Sequence, residues 1–196
     1  MDLLRQPLRY YERRLSVPYP YPKCDLVFIP AFPVLAYSVP GLVVIQDQVL
    51  KSQQANSDLY TAMVIAHELA HAWIGGLVTM RRREDLWLDE ALTTYISRTA
   101  LAEILPGTTP WAASTSATLP DYGYAQDAET VRKLEALVGR NAIIDGLGAL
   151  LRRHAHGTAT KEDLVRSWSA AARHDLRDWA AETLIPAGRE ENEPPQ

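Results

Sequence analysis

An α+β fold is predicted by three features of this 196-residue chain. Two short apolar runs bounded by turn residues fall in the first 46 positions, helical spacing dominates beyond residue 56, and 47% of the residues are hydrophobic, enough for a substantial core. In chain order, Leu3, Leu4, Leu8, Tyr11 and Leu15 recur at helical spacing over 3–15. The proline-punctuated stretch VPYPYPKC (17–24) turns the chain. DLVFIP (25–30) reads as a short buried strand, and LVVIQ (42–46) as another, entered through Pro40-Gly41. Asn56, Ser57 and Asp58 offer caps for a helix running to about Ile74, where Gly75-Gly76 stops it. A second helix covers roughly 87–105 and ends at Pro106. A loop over 106–122 follows, then helices near 127–138, 140–154, 160–173 and 175–184. The tail from Arg189 (REENEPPQ) has a disordered composition.

Composition narrows the function. A formal net charge of −4 and short basic runs give no reason to expect nucleic acid. One cysteine, Cys24, excludes an intrachain disulfide and reads as a buried thiol. The N-terminus lacks an uninterrupted apolar h-region, and no stretch approaches 18 charge-free apolar residues. The expectation is no membrane and a cytoplasmic location.

The chemistry sits in HELAH, residues 67–71. Positions i and i+4 of a helix share a face, so His67 and His71 can aim two imidazoles at one metal. Glu68 lies beside them, in reach of a water at an open coordination position, the arrangement of a general base. The surrounding helix, LYTAMVIAHELAHAWI (59–74), is apolar nearly all round and should be buried. Burying three ionisable groups within five residues is costly unless a divalent cation compensates them. Zinc with one open position needs a third protein ligand. Glu90 is the candidate: it follows His71 after eighteen residues, inside a helix whose buried face is marked by Leu86, Trp87, Leu88, Ala91 and Leu92. Its neighbour Asp89 reads as solvent-exposed, with a hydrogen-bonding role behind the metal as the alternative. His154, His156 and His174 read as surface residues.

The segment HELAHAWIGGLVTMRRREDLWLDEALTTY (67–95) closely resembles the zinc segment of the aminopeptidase N family of gluzincins, whose pattern is HExxH, eighteen residues, then Glu, with LVTM and LWLNE around it. PYPYPKCDLVFIP (18–30) is similar to the entry of that family's catalytic domain. RKLEALVGRNAIIDGLGALLRRHAHGTATKEDLV (132–165) and HDLRDWAAETLIPAG (174–188) resemble its helical half. The resemblance implies a thermolysin-like catalytic domain over 1–188, with a β-containing part to about 56, a helical part beyond it and a disordered tail at 189–196. It implies one zinc ion per chain held by His67, His71 and Glu90, with Glu68 as base. It also implies a tyrosine that hydrogen-bonds the oxyanion. Tyr124, in YAQDA, fits that context best although Asp127 replaces its glycine, and Tyr122 is the fallback.

One departure is marked. The family carries Gly-Ala-Met-Glu-Asn just before Gly41, and its glutamate holds the substrate's α-amine. Here LAYSV (35–39) places Ser38 at that position, and a serine has no charge to pair with an ammonium group. Asp47 and Asp127 remain as acids that could take over the anchor. The resulting expectation is a zinc-dependent hydrolase of a peptide or related amide that gains little from a free amine. A non-catalytic zinc-stabilised binding module, or a small-molecule ester or epoxide hydrolase, is the alternative. The family's flanking β and helical domains find no counterpart in these residues. Apolar surface is therefore expected to be covered by a homodimer or a dedicated partner chain.

Overall fold

The computed structural model describes residues 2–50, 57–112 and 124–184, with the backbone alone at 57 and 124–126. Helix α1 (Arg5–Leu15) leads into a three-stranded sheet of β1 (Asp25–Ile29), β2 (Ala36–Val39) and β3 (Leu42–Gln46). The order is β1-β3-β2, with β1 parallel and β2 antiparallel to β3. Then come α2 (Ser57–Ala70), β4 (Val78–Met80), α3 (Trp87–Ile104), α4 (Tyr124–Val138), α5 (Arg140–Arg153), β5 (Gly157–Ala159), α6 (Lys161–Ala172) and α7 (Arg177–Thr183). The fold is α+β, as the sequence predicts, with a small sheet and a mainly helical remainder.

Alternation along the strands decides which side chains face the helices. Val43 and Ile45 are buried on the inner face of the central strand. Their cross-strand partners include Leu26 and Phe28 on β1 and Ser38 and Ala36 on β2. The opposite face exposes Val27, Ile29, Tyr37 and Val39. Beneath the inner face, α2 is buried through Ala62, Val64, Ile65, Ala66, Leu69 and Ala70, and packs on α3 through Leu88, Leu92 and Ile96. Each such leucine or isoleucine contributes ~1.5–3 kcal/mol on burial. Together they hold the two helices that carry the ionisable residues. Helix α1 and the segment after it clasp the same unit: the Tyr11 hydroxyl donates to the Ala66 carbonyl at 2.8 Å, and Trp73 Nε1 donates to the Val17 carbonyl at 3.0 Å.

Four sequence expectations need correction. The strand expected to be buried over 25–30 is β1, which alternates half-buried and exposed positions because one face of the sheet is uncovered. The helix expected to reach Ile74 ends at Ala70, because the chain curls into a turn in which Ile74 bridges to Val78. Gly75 lies at φ +86°, the left-handed region that favours glycine, and a Cβ on Gly76 would sit 2.5 Å from the His71 carbonyl oxygen. The helical half also contains strands. β4 pairs in parallel with β5, 79 residues away in register, and so ties the C-terminal helices to the turn after α2. Finally, β2 was not foreseen, and it forms one edge of the sheet. The remaining helices lie close to their expected spans. α6 is capped by Thr160, whose hydroxyl and backbone N–H exchange hydrogen bonds with Asp163 in a capping box. No described helix is long and apolar enough to cross a membrane. The tail over 189–196 and residues 113–122 of the loop expected over 106–122 lie outside the described residues.

Candidate metal centre

His67 on α2 and His71, the residue just past its end, share the side not packed into the core, and Glu90 leaves the first turn of α3 toward them. Their side chains are 19%, 18% and 27% exposed, so they are shielded yet reachable. The Nε2 atoms of the two histidines lie 3.2 Å apart. Glu90 Oε2 is 3.2 Å from His67 Nε2, and Glu90 Oε1 is 3.5 Å from His71 Nε2. Zinc with ligand bonds of 2.0–2.1 Å in a tetrahedron spaces its ligand atoms by about 3.3 Å. The three separations match that figure, so the donor set fits a zinc ion with a fourth position open to the cleft. Among the described residues this is the one grouping of three or more His, Cys, Asp or Glu side chains that could hold a metal.

The far side of each imidazole reinforces the fit. His71 Nδ1 faces the Ile74 carbonyl at 3.1 Å, and a carbonyl only accepts, so Nδ1 carries the proton and Nε2 presents its lone pair. Thr94 Oγ1, one helical turn after Glu90, lies 3.4 Å from His67 Nδ1. The charges of the protein alone tell the same story. Burial by itself would raise the Glu90 carboxyl, but hydrogen bonds from both histidines and their charges hold it well below the usual carboxylate range. Burial would lower His71, but the Glu90 hydrogen bond and the Glu90 and Glu68 charges lift it to about 9.

Asp89 is not exposed. It is buried beside the triad, and its Oδ2 accepts the Met80 N–H at 3.3 Å. Burial pushes its carboxyl up to about 7 despite that hydrogen bond. The cause is β4, which lies over the start of α3. Leu86, expected in the core, is 42% exposed at the rim of the cleft. His156 and His174 are exposed, while His154 is half-buried with Nδ1 donating to the Thr158 carbonyl at 3.1 Å. Cys24 is half-buried rather than buried.

The triad opens into a cleft of about 880 Å³. Glu68 lines it, as do Ser38 and its strand neighbours, the aromatic rings of Tyr19, Tyr21 and Tyr60, and the long side chain of Arg98. Among the described residues, the carboxylates lining the cleft are Glu68, Asp89 and Glu90, whereas Asp47 and Asp127 do not line it. Ser38 holds a position that sequence reasoning missed. Its hydroxyl reaches both the Glu68 carboxylate and the Glu68 backbone carbonyl, the latter at 2.9 Å. The signal for it, alternation along a four-residue edge strand, emerges only once β2 is paired. Tyr124 opens α4, but its side chain, like the whole of Tyr122, lies outside the described residues.

An HExxH helix, a downstream glutamate and an open apolar cleft define the zinc metallopeptidase-like class. Residues 1–122 match the Peptidase family M1 domain, and the chain belongs to that family. It is 30% identical to aminopeptidase N of Streptomyces lividans over 95% of its own length and 26% of that protein. It is also 28% identical to leucyl aminopeptidase of Saccharolobus solfataricus over 96% of its length and 28% of that protein. The chain thus spans about a quarter of these curated relatives. The structure of Legionella pneumophila aminopeptidase A in complex with aspartic acid superposes with a TM-score of 0.75. The match is 20% identical and covers 93% of this chain and 24% of that one, a likeness of fold.

Proposed function

We propose that this chain is the catalytic unit, over residues 1–188, of a zinc-dependent peptidase that binds one zinc ion through His67, His71 and Glu90. The observation that carries the reading is the convergence of those three donor groups at zinc-like spacing in the same cleft as Glu68. A zinc ion held there supplies Lewis acidity and lowers the pKa of water bound to it. Glu68 takes a proton from the attacking water and delivers it to the departing amine. Tyr124 donates its phenolic hydrogen to the oxygen of the scissile carbonyl as negative charge develops there. The broad cleft and its apolar and aromatic lining suit a peptide or related amide.

The relatives' names point to cleavage at a free N-terminus. Three features argue for a departure in this chain. Ser38 is neutral. The lining carboxylates belong to the metal cluster or lie beside it. Asp47 and Asp127 stand elsewhere. The reading is therefore a peptidase without the usual amine anchor, which accepts blocked or internal bonds. The exposed apolar face formed by Val27, Ile29, Tyr37 and Val39 supports assembly with a second copy or with further polypeptide. The test is zinc content by mass spectrometry, together with cleavage-site mapping in a peptide library. One zinc per chain and internal or N-blocked cuts, lost in Glu68→Gln, support the reading. A metal-free active protein, or cuts confined to free N-termini, refutes it.

A further inference from the structure

We infer that Ser38 is the positioning residue for Glu68, which means the residue standing in place of an amine anchor has been turned inward to serve the base. The inference rests on the reading of Glu68 as general base. Ser38 is the inward-facing residue at the middle of β2, paired with Val43 of β3. Strand alternation leaves its side chain no other direction than the start of the HELAH segment. Its hydroxyl has a single hydrogen and meets two acceptors on one residue, the Glu68 carboxylate Oε2 and the Glu68 carbonyl, so its donor capacity is spent on Glu68. A carboxylate on a helix side chain otherwise samples several rotamers. Held through Oε2, Glu68 keeps a single orientation in the cleft that it lines, where a proton is to be taken. The contact also ties the edge strand along the rim to the helix on the floor, so the rim conformation and the orientation of the base are set together.

The test compares wild type, Ser38→Ala, Ser38→Thr, Glu68→Gln and the Ser38→Ala/Glu68→Gln double variant as zinc-loaded proteins, with kcat and KM read separately on an internally quenched peptide. A second readout is calorimetric affinity for a peptide hydroxamate, a ligand that gives its proton to the base on binding. Ser38→Ala should lower kcat about tenfold or more, the worth of a hydrogen bond to a charged group, with KM within about twofold and zinc content and Tm unchanged. Ser38→Thr keeps the hydroxyl on a strand that favours threonine and should recover most of the loss. In the Glu68→Gln background Ser38→Ala should have little further effect, because residues acting as a unit are not additive. Hydroxamate affinity should fall about tenfold in Ser38→Ala and recover in Ser38→Thr. Wild-type kcat and hydroxamate affinity in Ser38→Ala would overturn the inference, as would equal losses in Ser38→Thr or the same fractional loss on top of Glu68→Gln. Turnover retained in Glu68→Gln defeats the base assignment instead, and the hydroxamate affinities then still decide whether Ser38 sets the orientation of Glu68.

Discussion

The floor and the rim of the cleft are built by different means. On the floor, His67 and His71 share one side of α2 and its end by helical periodicity, and the packing of α2 on α3 brings Glu90 to them. On the rim, a four-residue edge strand presents Ser38, and its contact with Glu68 spans thirty positions of sequence. The floor is conservative in chemistry: three donors at zinc-like spacing, imidazoles oriented from behind, and Asp89 bracing the turn above. The rim is where the chain parts from the pattern it otherwise resembles. In the proposed reading, the core-packed helices keep the donor set together while one residue of an edge strand changes what surrounds the base.

Variants on each side should separate the two. The largest effect is expected from the floor. Glu90→Ala or His67→Ala should lose zinc and all turnover. Stability should fall as well, since the remaining ionisable groups stay partly buried without compensation, and zinc analysis with thermal unfolding reads both. Next comes Glu68→Gln, which should keep zinc and Tm but lose turnover by about 10²–10⁴, the span of general-base catalysis. The smallest floor effect is Thr94→Ala. Removing the hydroxyl behind His67 should weaken zinc affinity by about ten- to a hundredfold in a chelator competition, with the fold intact. An unchanged affinity would mean that the imidazole is oriented by packing alone.

What the sequence made legible follows the same division. His67 and His71 share a helical face by spacing alone, and an apolar helix around them demands compensation, so their pairing could be read without a fold. Glu90 needed the eighteen-residue interval and the patterned helix around it. Asp89 was misjudged because its burial depends on β4, a three-residue strand whose partner β5 lies 79 residues on, and no local pattern announces such a pairing. β2 escaped notice for a related reason: AYSV is short, flanked closely by Pro40 and carries a serine on the face that an apolar residue would normally mark. The expected end of α2 at Ile74 failed because hydrophobicity continues through Ala72, Trp73 and Ile74 in the turn, where these residues still face the core.

The claim that the metal floor is intact while the amine anchor is gone meets its most direct test in one measurement. A matched pair of peptide substrates, identical except for a free or an acetylated N-terminus, is compared by kcat/KM on the zinc-loaded protein. A charge-assisted anchor is worth about 1.5–3 kcal/mol, or roughly ten- to a hundredfold in the transition state. Both substrates should turn over with rates within about tenfold of each other, and a preference for the free amine of the anchor's size, above about tenfold, would contradict the missing anchor.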